Sequence, residues 1–187
     1  MLKNSQLAVV AGTDHQQIDN AFNAVNGAKS KRLIVSLPTS NVRMEYISHA
    51  KPAAMLEKIK DLVSYAASKC DFVEFEAEDA TRSEKEFLAK AVSTAIEAGA
   101  KAVTLCDTAS VALPDEFAGL INDLYADVPA LKGVELGVAV GNELSMANAC
   151  AISAFACGAE YIKTAVTRTK LNTTESFINL IRLRGDK

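Results

Sequence analysis

Short apolar segments recur about every 30 residues along this chain, and this periodicity limits the fold more than any other feature of the sequence. The segments lie at residues 7–11, 33–37, 72–75, 102–105, 134–140 and 161–166. Each is bounded by polar or small residues, and most are rich in Val, Leu or Ile, which is typical of a buried β-strand. The sequence therefore predicts six strands.

The stretches between these segments have the periodicity of amphipathic helices. Within residues 53–68, Met55, Ile59 and Leu62 recur three or four positions apart and form one apolar stripe. Pro114 opens a later helix at a position where a missing N–H costs nothing. Strands that alternate with helices at this spacing predict parallel β-α-β units in an α/β fold.

The number of units decides between architectures. About six units account for nearly all of the 187 residues, whereas a complete (β/α) barrel of eight units takes about 250. We therefore expect an incomplete TIM-type (β/α) barrel of about six parallel strand-helix units, built as a single domain over residues 1–187. The alternative is an open, doubly wound sheet, which needs no closure. An incomplete barrel exposes two edge strands, so a homo-oligomer or a partner chain that covers the edges is also expected.

Composition and charge narrow the function classes. The chain is 49% hydrophobic with a formal charge of −3 and no run of like charges, which gives no reason to expect nucleic acid or a membrane as a partner. The N-terminal segment lacks the apolar stretch of a signal peptide, and no apolar run reaches the roughly 18 residues of a membrane span. A cytoplasmic location is the expectation. The four cysteines lack Cys-x-x-Cys spacing, and Cys106 is interpreted as a packed thiol rather than a nucleophile.

Three segments carry a resemblance to a known family. They are VEFEAEDATRSEKEFL at 73–88, AIEAGAKAVTLCDTASVALPDEFAGLI at 95–121 and GNELSMANACAISAFACGAEYI at 141–162. They resemble the metal-dependent acyl-CoA condensing enzymes and lyases: isopropylmalate synthase, homocitrate synthase and hydroxymethylglutaryl-CoA lyase. On this resemblance the chain corresponds to strands two to seven of the HMGL-like barrel. It implies a Claisen-type condensation or its reverse, in which a divalent metal polarises a 2-oxo acid and an acyl-CoA is the second substrate.

The resemblance also implies site residues at the ends of three strands. Glu78 matches the family's fourth-strand glutamate, Thr108 its fifth-strand threonine, and Asp107 the aspartate beside that threonine. These three are the expected catalytic residues. Arg82 matches the arginine that follows the acidic pair Glu78-Asp79, and Asn142 lies where the sixth family strand ends. Both are expected to bind substrate.

Departures from the family pattern weaken the implied metal chemistry. The sixth-strand His-x-His pair is replaced by Ala139 and Gly141, which offer no side-chain ligand. The first strand with its metal-binding aspartate has no counterpart, and the glycine-rich pattern after the seventh strand is missing. Only an alignment slip would place Asn172 or Glu175 at the lost asparagine ligand. No cofactor is therefore assigned.

Other polar residues near the strand ends each have two interpretations. Glu143 and Glu76 are weak candidates for a rebuilt Mg²⁺ or Mn²⁺ site, although carboxylates on a solvated rim are equally well explained by salt bridges. Thr167, Arg168 and Lys170 precede the last helix. They form either a substrate-binding anion site for phosphate or coenzyme A, or a polar loop without a ligand.

The roles of five side chains are uncertain from the sequence alone. Lys163 would form a Schiff base with a carbonyl substrate if burial lowered its pKa. His15 is expected in a loop on the site face, just after the N-cap of the first helix, and His49 in another loop. Either Glu76 enters the site while Glu74 lies deeper and pairs with a cation, or their strand ends early.

Three functions remain open at this point. The first is a truncated, divergent relative that has lost metal-dependent condensation and serves as a binding or regulatory subunit. The second is an active acyltransferase or lyase on a 2-oxo acid and an acyl-CoA, with a rebuilt or partner-completed site. The third is an unrelated Schiff-base aldolase chemistry that uses Lys163. The missing histidines favour the first.

Overall fold

The computed structural model describes residues 4–166 and 171–185, which form one six-stranded sheet and seven α-helices. The strands are β1 (Leu7–Ala11), β2 (Lys31–Pro38), β3 (Val73–Glu78), β4 (Ala102–Asp107), β5 (Glu135–Val140) and β6 (Tyr161–Ile162). The helices are α1 (His15–Val25), α2 (Asn41–Tyr46), α3 (Pro52–Lys69), α4 (Lys85–Glu97), α5 (Pro114–Asp127), α6 (Ala147–Ala156) and α7 (Thr174–Arg184). None of these helices is both long and apolar enough to cross a membrane.

The strands pair in their sequence order, β1 to β6, and every neighbouring pair is parallel. Crossovers between parallel strands are right-handed, so helices change face only where the strand order reverses. The order never reverses here. The helices therefore cover one face, and the sheet curls into a half-barrel. The predicted incomplete barrel is confirmed, and the doubly wound alternative is wrong.

The outer face of the sheet, which the helices cover, contains the hydrophobic core. Alternate residues of each strand point to this face, and on β2 these are Leu33, Val35 and Leu37, all at most 1% exposed. Ile59 of α3 and Val92 of α4 pack into the same cluster from the apolar stripes of their helices. Apolar burial on this face holds strands and helices together.

The inner face, on the other side of the sheet, is polar. Because side chains alternate along a strand, Glu74, Glu76 and Glu78 of β3 all point to it. Arg32 and Ser36 of β2 meet these glutamates there. Glu74 lies deeper, 1% exposed and paired with cations, and Glu76 reaches the strand ends. The expectation that Glu76 enters the site while Glu74 lies deeper and pairs with a cation is confirmed.

The strand boundaries differ from the prediction mainly at the carboxyl ends. β3 and β4 continue to Glu78 and Asp107, because their polar ends stay in register with the neighbouring strands. β6 is shorter than predicted and ends at Ile162. The chain then turns, and Ala165 forms an isolated parallel bridge with Thr173 instead of extending the strand.

Candidate functional site

A cavity of about 290 Å³ opens on the inner face at the carboxyl ends of the strands. Strands β2 to β5 and the segment after β6 all contribute to its lining. Glu78, Thr108 and Asp107, the three residues expected to be catalytic, border this cavity together. In β/α barrels, this end of the strands is where active sites are built.

Glu78 faces the cavity as half of an ion pair. Its Oε1 accepts a hydrogen bond from Ser36 Oγ at 2.9 Å, and its Oε2 accepts one from Arg43 Nη2 at 2.9 Å. Both side chains of the pair are 28% exposed. Each carboxylate oxygen is therefore engaged with a protein donor before any ligand arrives.

Asp79, beside Glu78, organises the loop rather than the cavity. It is fully buried, and its backbone is left-handed with φ of 61°. Its carboxylate accepts hydrogen bonds from Arg82 Nη2 at 2.6 Å and from Ser40 Oγ at 2.5 Å. The hydrogen bond to Asp79 raises the pKa of the Arg82 guanidinium. Arg82, expected to bind substrate, is held by Asp79 outside the cavity lining.

Thr108 and Asp107 differ in their access to the cavity. Thr108 is exposed, and its Oγ1 accepts the N–H of Asp79 at 3.0 Å, which leaves the hydroxyl proton free to donate. Asp107 is buried, and its carboxylate accepts hydrogen bonds from Thr81 Oγ1 at 2.7 Å and from the backbone of Val111 and Ala112. Asp107 thereby fixes the loop after β4, while Thr108 can contact a ligand.

A buried charge network lies on the inner face beneath the cavity. Glu74 Oε2 accepts a hydrogen bond from Arg32 Nη1 at 3.0 Å, and its Oε1 accepts one from Thr104 Oγ1 at 2.6 Å. Lys163 Nζ lies 2.6 Å from the same Oε1. Burial by itself raises the pKa of Glu74, but Lys163, Thr104 and Arg32 outweigh burial and lower that pKa below its ordinary value of 4.5. The Glu74 carboxylate is therefore a stable buried anion.

Lys163 connects this network to the cavity. Its Nζ also lies 3.4 Å from Glu76 Oε1. Burial by itself lowers the pKa of Lys163, yet Glu76 and Glu74 outweigh burial and raise that pKa above 10.5. A Schiff base requires the neutral amine, so the condition set for this chemistry, a lowered pKa of Lys163, is not met. Lys163 is a fixed cation at the cavity.

The structure confirms that Cys106 is a packed thiol. It is buried, and its Sγ donates to Glu76 Oε1 at 3.2 Å. Burial, reinforced by Glu76, raises the pKa of the thiol well above its ordinary range. A nucleophilic cysteine requires the opposite shift.

At Gly141, just after β5, the cavity wall has no room for a side chain unless its neighbours shift. Ala139 and Gly141 form part of the wall. A Cβ placed on Gly141 would lie 1.8 Å from Ser110 Oγ and 2.9 Å from the backbone oxygen of Asp107. The loop after β4 therefore occupies the space that a larger residue at position 141 would need.

The polar residues after β5 lie outside the cavity lining. Asn142, expected to bind substrate, is exposed and accepts the N–H of Ala147 at 3.2 Å through Oδ1, which stabilises the start of α6. Glu143 is exposed and is not part of the lining. Of the two weak metal candidates, only Glu76 borders the cavity, where Lys163 pairs with it.

The predicted anion site after β6 stays a prediction, because Thr167, Arg168 and Lys170 lie outside the described residues. Asn172, considered as an alternative metal ligand, is buried and donates from Nδ2 to Asn148 Oδ1 at 2.5 Å. Glu175 is exposed in the first turn of α7.

The two histidines lie away from the cavity lining. His15 was expected in a loop, but Asp14 caps α1 by accepting the N–H of Gln17, so the helix already begins at His15. The His15 ring stacks on Tyr65 with centroids 3.9 Å apart and lies 2.9 Å from Asp61 Oδ2. The loop position predicted for His49 is confirmed, with a left-handed φ of 48°.

Two cavity residues, Arg43 and Ser36, were missed by sequence reasoning. Ser36 is an inner-face residue of β2, and Arg43 lies in α2, the short helix that follows this strand. Arg43 Nε is buried and has no hydrogen-bond partner among the described residues. Their position near and just beyond the carboxyl end of a strand, in SLPTSNVRMEY, was the available signal, since this end of a barrel carries functional side chains.

The donors at the cavity do not fit a divalent metal, although the enzymes that the sequence resembles use one. Among residues 4–166 and 171–185, no group of three or more His, Cys, Asp or Glu is arranged to hold a metal ion. Glu76 and Glu78 border the cavity, but Lys163 and Arg43 pair with them, and these cations would repel a second positive charge. A metal ion at these carboxylates would therefore compete with both ion pairs.

The fold and this site define a β/α half-barrel with a polar, ion-paired cavity at its carboxyl end. A family model described as HMGL-like matches residues 1–168. The chain belongs to the HMGL-like family.

Relatives and solved structures agree with this assignment. The 2-isopropylmalate synthase of Aquifex aeolicus is 37% identical over 189 residues, which cover 99% of this chain and 36% of that protein. The Clostridium kluyveri enzyme of the same name is 34% identical, with 95% and 35% covered. This chain therefore spans about a third of the length of the curated relatives it matches.

The structural matches show the same fold at low sequence identity. The hydroxymethylglutaryl-CoA lyase of Pseudomonas aeruginosa superposes with a TM-score of 0.80 at 15% identity, covering 97% of this chain and 63% of that one. The N-terminal domain of a putative aldolase from Bacteroides vulgatus gives a TM-score of 0.75 at 12% identity, covering 98% and 57%. These matches support the half-barrel architecture.

Proposed function

We propose that this chain is a metal-independent binding or regulatory subunit of the HMGL-like family, and that its ligand is a small carboxylic acid of the 2-oxo acid type. On this proposal, its own cavity does not carry out metal-dependent Claisen condensation. The observation that carries the proposal is the ion pairing of Glu76 with Lys163 and of Glu78 with Arg43 at the cavity.

The chemistry of the implied reaction explains why these pairs matter. Condensation needs a Lewis acid to polarise a carbonyl, and a metal must be held by free carboxylate or imidazole donors. In this cavity, positive charge is supplied by Arg43 and Lys163 instead. Protein cations can attract a carboxylate, but they do not hold a second substrate in a shared coordination sphere.

The size of the cavity agrees with a small ligand. A water molecule takes up about 30 Å³ in the liquid, so a cavity of about 290 Å³ has room for roughly ten non-hydrogen atoms. A short 2-oxo acid fits this volume. A whole coenzyme A does not, so any acyl-CoA would have to lie mostly outside the cavity.

Isothermal titration calorimetry tests this proposal. We expect no binding of Mg²⁺, Mn²⁺ or Zn²⁺ below millimolar concentration, and we expect sodium pyruvate to bind equally well with and without EDTA. Stoichiometric metal binding, or pyruvate binding that depends on added metal, would contradict the proposal.

A second candidate function is an acyltransferase or lyase whose site is completed by a partner. It is favoured by the position of Glu78 and Thr108, which match family site residues and border one cavity. The test is thiol release from acetyl-CoA in the presence of pyruvate and Mg²⁺ or Mn²⁺, with Glu78→Gln as the control. Release that depends on Glu78 would support this candidate, and release equal to the no-enzyme rate would count against it.

We also propose that a second copy or another chain covers the β1 edge. Among the described residues β1 pairs only with β2, it has no charged residue, and Leu7 and Val10 are 44% and 60% exposed. Unprotected apolar edges of this kind promote association. Light scattering after size exclusion should give a mass above that of the monomer, and Val10→Lys should lower it. A monomer at micromolar concentration would contradict self-association.

A further inference from the structure

The guanidinium of Arg43 is the least satisfied polar group at the cavity. A guanidinium has five N–H donors, and among the described residues Arg43 makes one side-chain hydrogen bond, from Nη2 to Glu78. Its Nε is buried without an acceptor. Buried donors in native proteins are nearly always paired, so this guanidinium is unusually poor in acceptors. Because Nε is closed to the solvent, a ligand in the cavity would bind the Nη1 and Nη2 donors, only one of which is paired among the described residues.

The backbone of Arg43 is held firmly in place. Ser40 caps α2, and its Oγ accepts the N–H of Arg43 at 3.2 Å. The same Oγ donates to the fully buried Asp79, which Arg82 holds in turn. This chain of contacts ties the start of α2 to the loop after β3. Arg43 is therefore positioned before a ligand binds, which lowers the entropy cost of binding.

Two other donors border the same cavity. The Thr108 hydroxyl accepts the N–H of Asp79 and keeps its own proton available. Lys163 has three N–H donors and contacts two carboxylates, Glu74 and Glu76. The cavity thus combines the planar guanidinium of Arg43, which can bind both oxygens of a carboxylate, with the ammonium of Lys163 and the hydroxyl of Thr108, each of which suits a single oxygen.

We infer that Arg43 binds the carboxylate of the ligand and that Lys163 and Thr108 bind an oxygen on the adjacent carbon. The ligand class is then a short 2-oxo or 2-hydroxy acid. This inference rests on the proposed function, because it names the residues that give that function its selectivity. Glu78 can stay in place, since a guanidinium can hold one carboxylate on each of two edges.

The experiment compares binding of sodium pyruvate and of uncharged pyruvamide to four proteins: wild type, Arg43→Gln, Arg43→Lys and Arg182→Gln. Arg182 is an exposed residue of α7, so Arg182→Gln makes the same charge change away from the cavity. We expect wild type and Arg182→Gln to bind pyruvate alike and to ignore pyruvamide. Arg43→Gln should bind pyruvate at least about tenfold more weakly, and Arg43→Lys should fall between them.

The outcomes separate this inference from the proposed function. If wild type binds pyruvate and Arg43→Gln binds it equally well, the inference is wrong and the proposed function stands. If wild type binds neither pyruvate nor lactate, both are wrong. Should circular dichroism show that Arg43→Gln does not fold, Arg43→Lys decides instead, because it keeps the positive charge beside Glu78. Unchanged pyruvate affinity in that variant overturns the inference.

Discussion

At the scale of single residues, Glu74 is the centre of the inner-face charge network. It is 1% exposed and contacts two cations, Arg32 of β2 and Lys163 of the segment after β6. Removing one member of a buried ion pair leaves its partner charge without compensation, which costs far more than an exposed pair is worth. The network is therefore sensitive to the loss of any one charge.

We predict that Glu74→Gln lowers the free energy of unfolding by about 3–5 kcal/mol at neutral pH. Glu135→Gln, which removes the 43% exposed partner of Arg32, should cost about 1 kcal/mol or less. Urea denaturation of both variants measures the difference. Equal small losses in the two variants would show that the Glu74 network does not stabilise the fold.

The ion pair between Glu74 and Lys163 makes the stability of the fold depend on pH. The direction of this dependence follows from the pKa shifts of the two groups. The lowered pKa of Glu74 means that its stabilisation is present above pH 4.5 and is lost as pH falls through the folded pKa. The raised pKa of Lys163 means that its stabilisation is present below pH 10.5 and is lost as pH rises through the folded pKa. The stability gap between wild type and Glu74→Gln should therefore be widest between these limits and narrow in acid.

A second residue-scale prediction concerns Gly141. An added Cβ would meet Ser110 Oγ at 1.8 Å, so Gly141→Ala should destabilise the fold by about 1–3 kcal/mol through overpacking. Ser110 has a φ of 57°, a conformation that glycine adopts freely. Adding Ser110→Gly should therefore recover part of the lost melting temperature. Strictly additive effects of the two substitutions would refute the steric explanation.

At the scale of elements, the start of α2 is where packing and recognition meet. Ser40 both caps this helix and donates to the buried carboxylate of Asp79. At the start of α7, Thr173 caps in the same way by accepting the N–H of Ser176, and among the described residues no buried carboxylate bonds to it. The two caps thus separate the effect of capping from the effect of a buried hydrogen bond.

We predict that Ser40→Ala costs more stability than Thr173→Ala. Loss of an N-cap lowers the free energy of unfolding by about 1 kcal/mol in either helix. In α2 the buried Asp79 carboxylate also loses a hydrogen bond, which adds about 1–3 kcal/mol. Thermal unfolding of the two variants checks the order. Equal shifts in melting temperature would mean that the Ser40–Asp79 hydrogen bond contributes little.

At the scale of the whole molecule, the half-barrel separates stability from function. Its outer face is an apolar layer between strands and helices, whereas its inner face is a charged surface that ends in the cavity. The stabilising contacts and the donors for a ligand are therefore on opposite sides of one sheet. This arrangement allows residues at the cavity to change without loss of the fold.

We predict that the melting temperature is the same, within about 1 °C, in EDTA and in millimolar Mg²⁺ or Mn²⁺. A ligand that binds the native state at a hundred times its Kd stabilises it by about 2.7 kcal/mol, which would shift the melting temperature by several degrees. Differential scanning fluorimetry makes the comparison. A clear rise with either ion would reveal a metal site and count against metal independence.

Much of the fold could be predicted from the sequence, because the signals for strands and helices are local. The apolar segments around Leu33 and Val103 and the stripe through Ile59 repeat at fixed spacing, and the repeat implies parallel units. The placement of Glu78 and Thr108 at one end also followed, since all parallel strands end on the same side. The sequence alone likewise showed that Ala139 and Gly141 cannot ligate a metal.

Only the tertiary structure decided which side chains line the cavity and which charges meet there. Burial by itself lowers the pKa of Lys163. The charges of Glu74 and Glu76, on a strand that is distant in the sequence, outweigh burial and raise that pKa. Arg43 became a candidate anchor only once its unpaired Nε and its contact with Glu78 were known. These are electrostatic interactions between residues far apart in the chain, and their balance depends on distances that exist only after the sheet has curled.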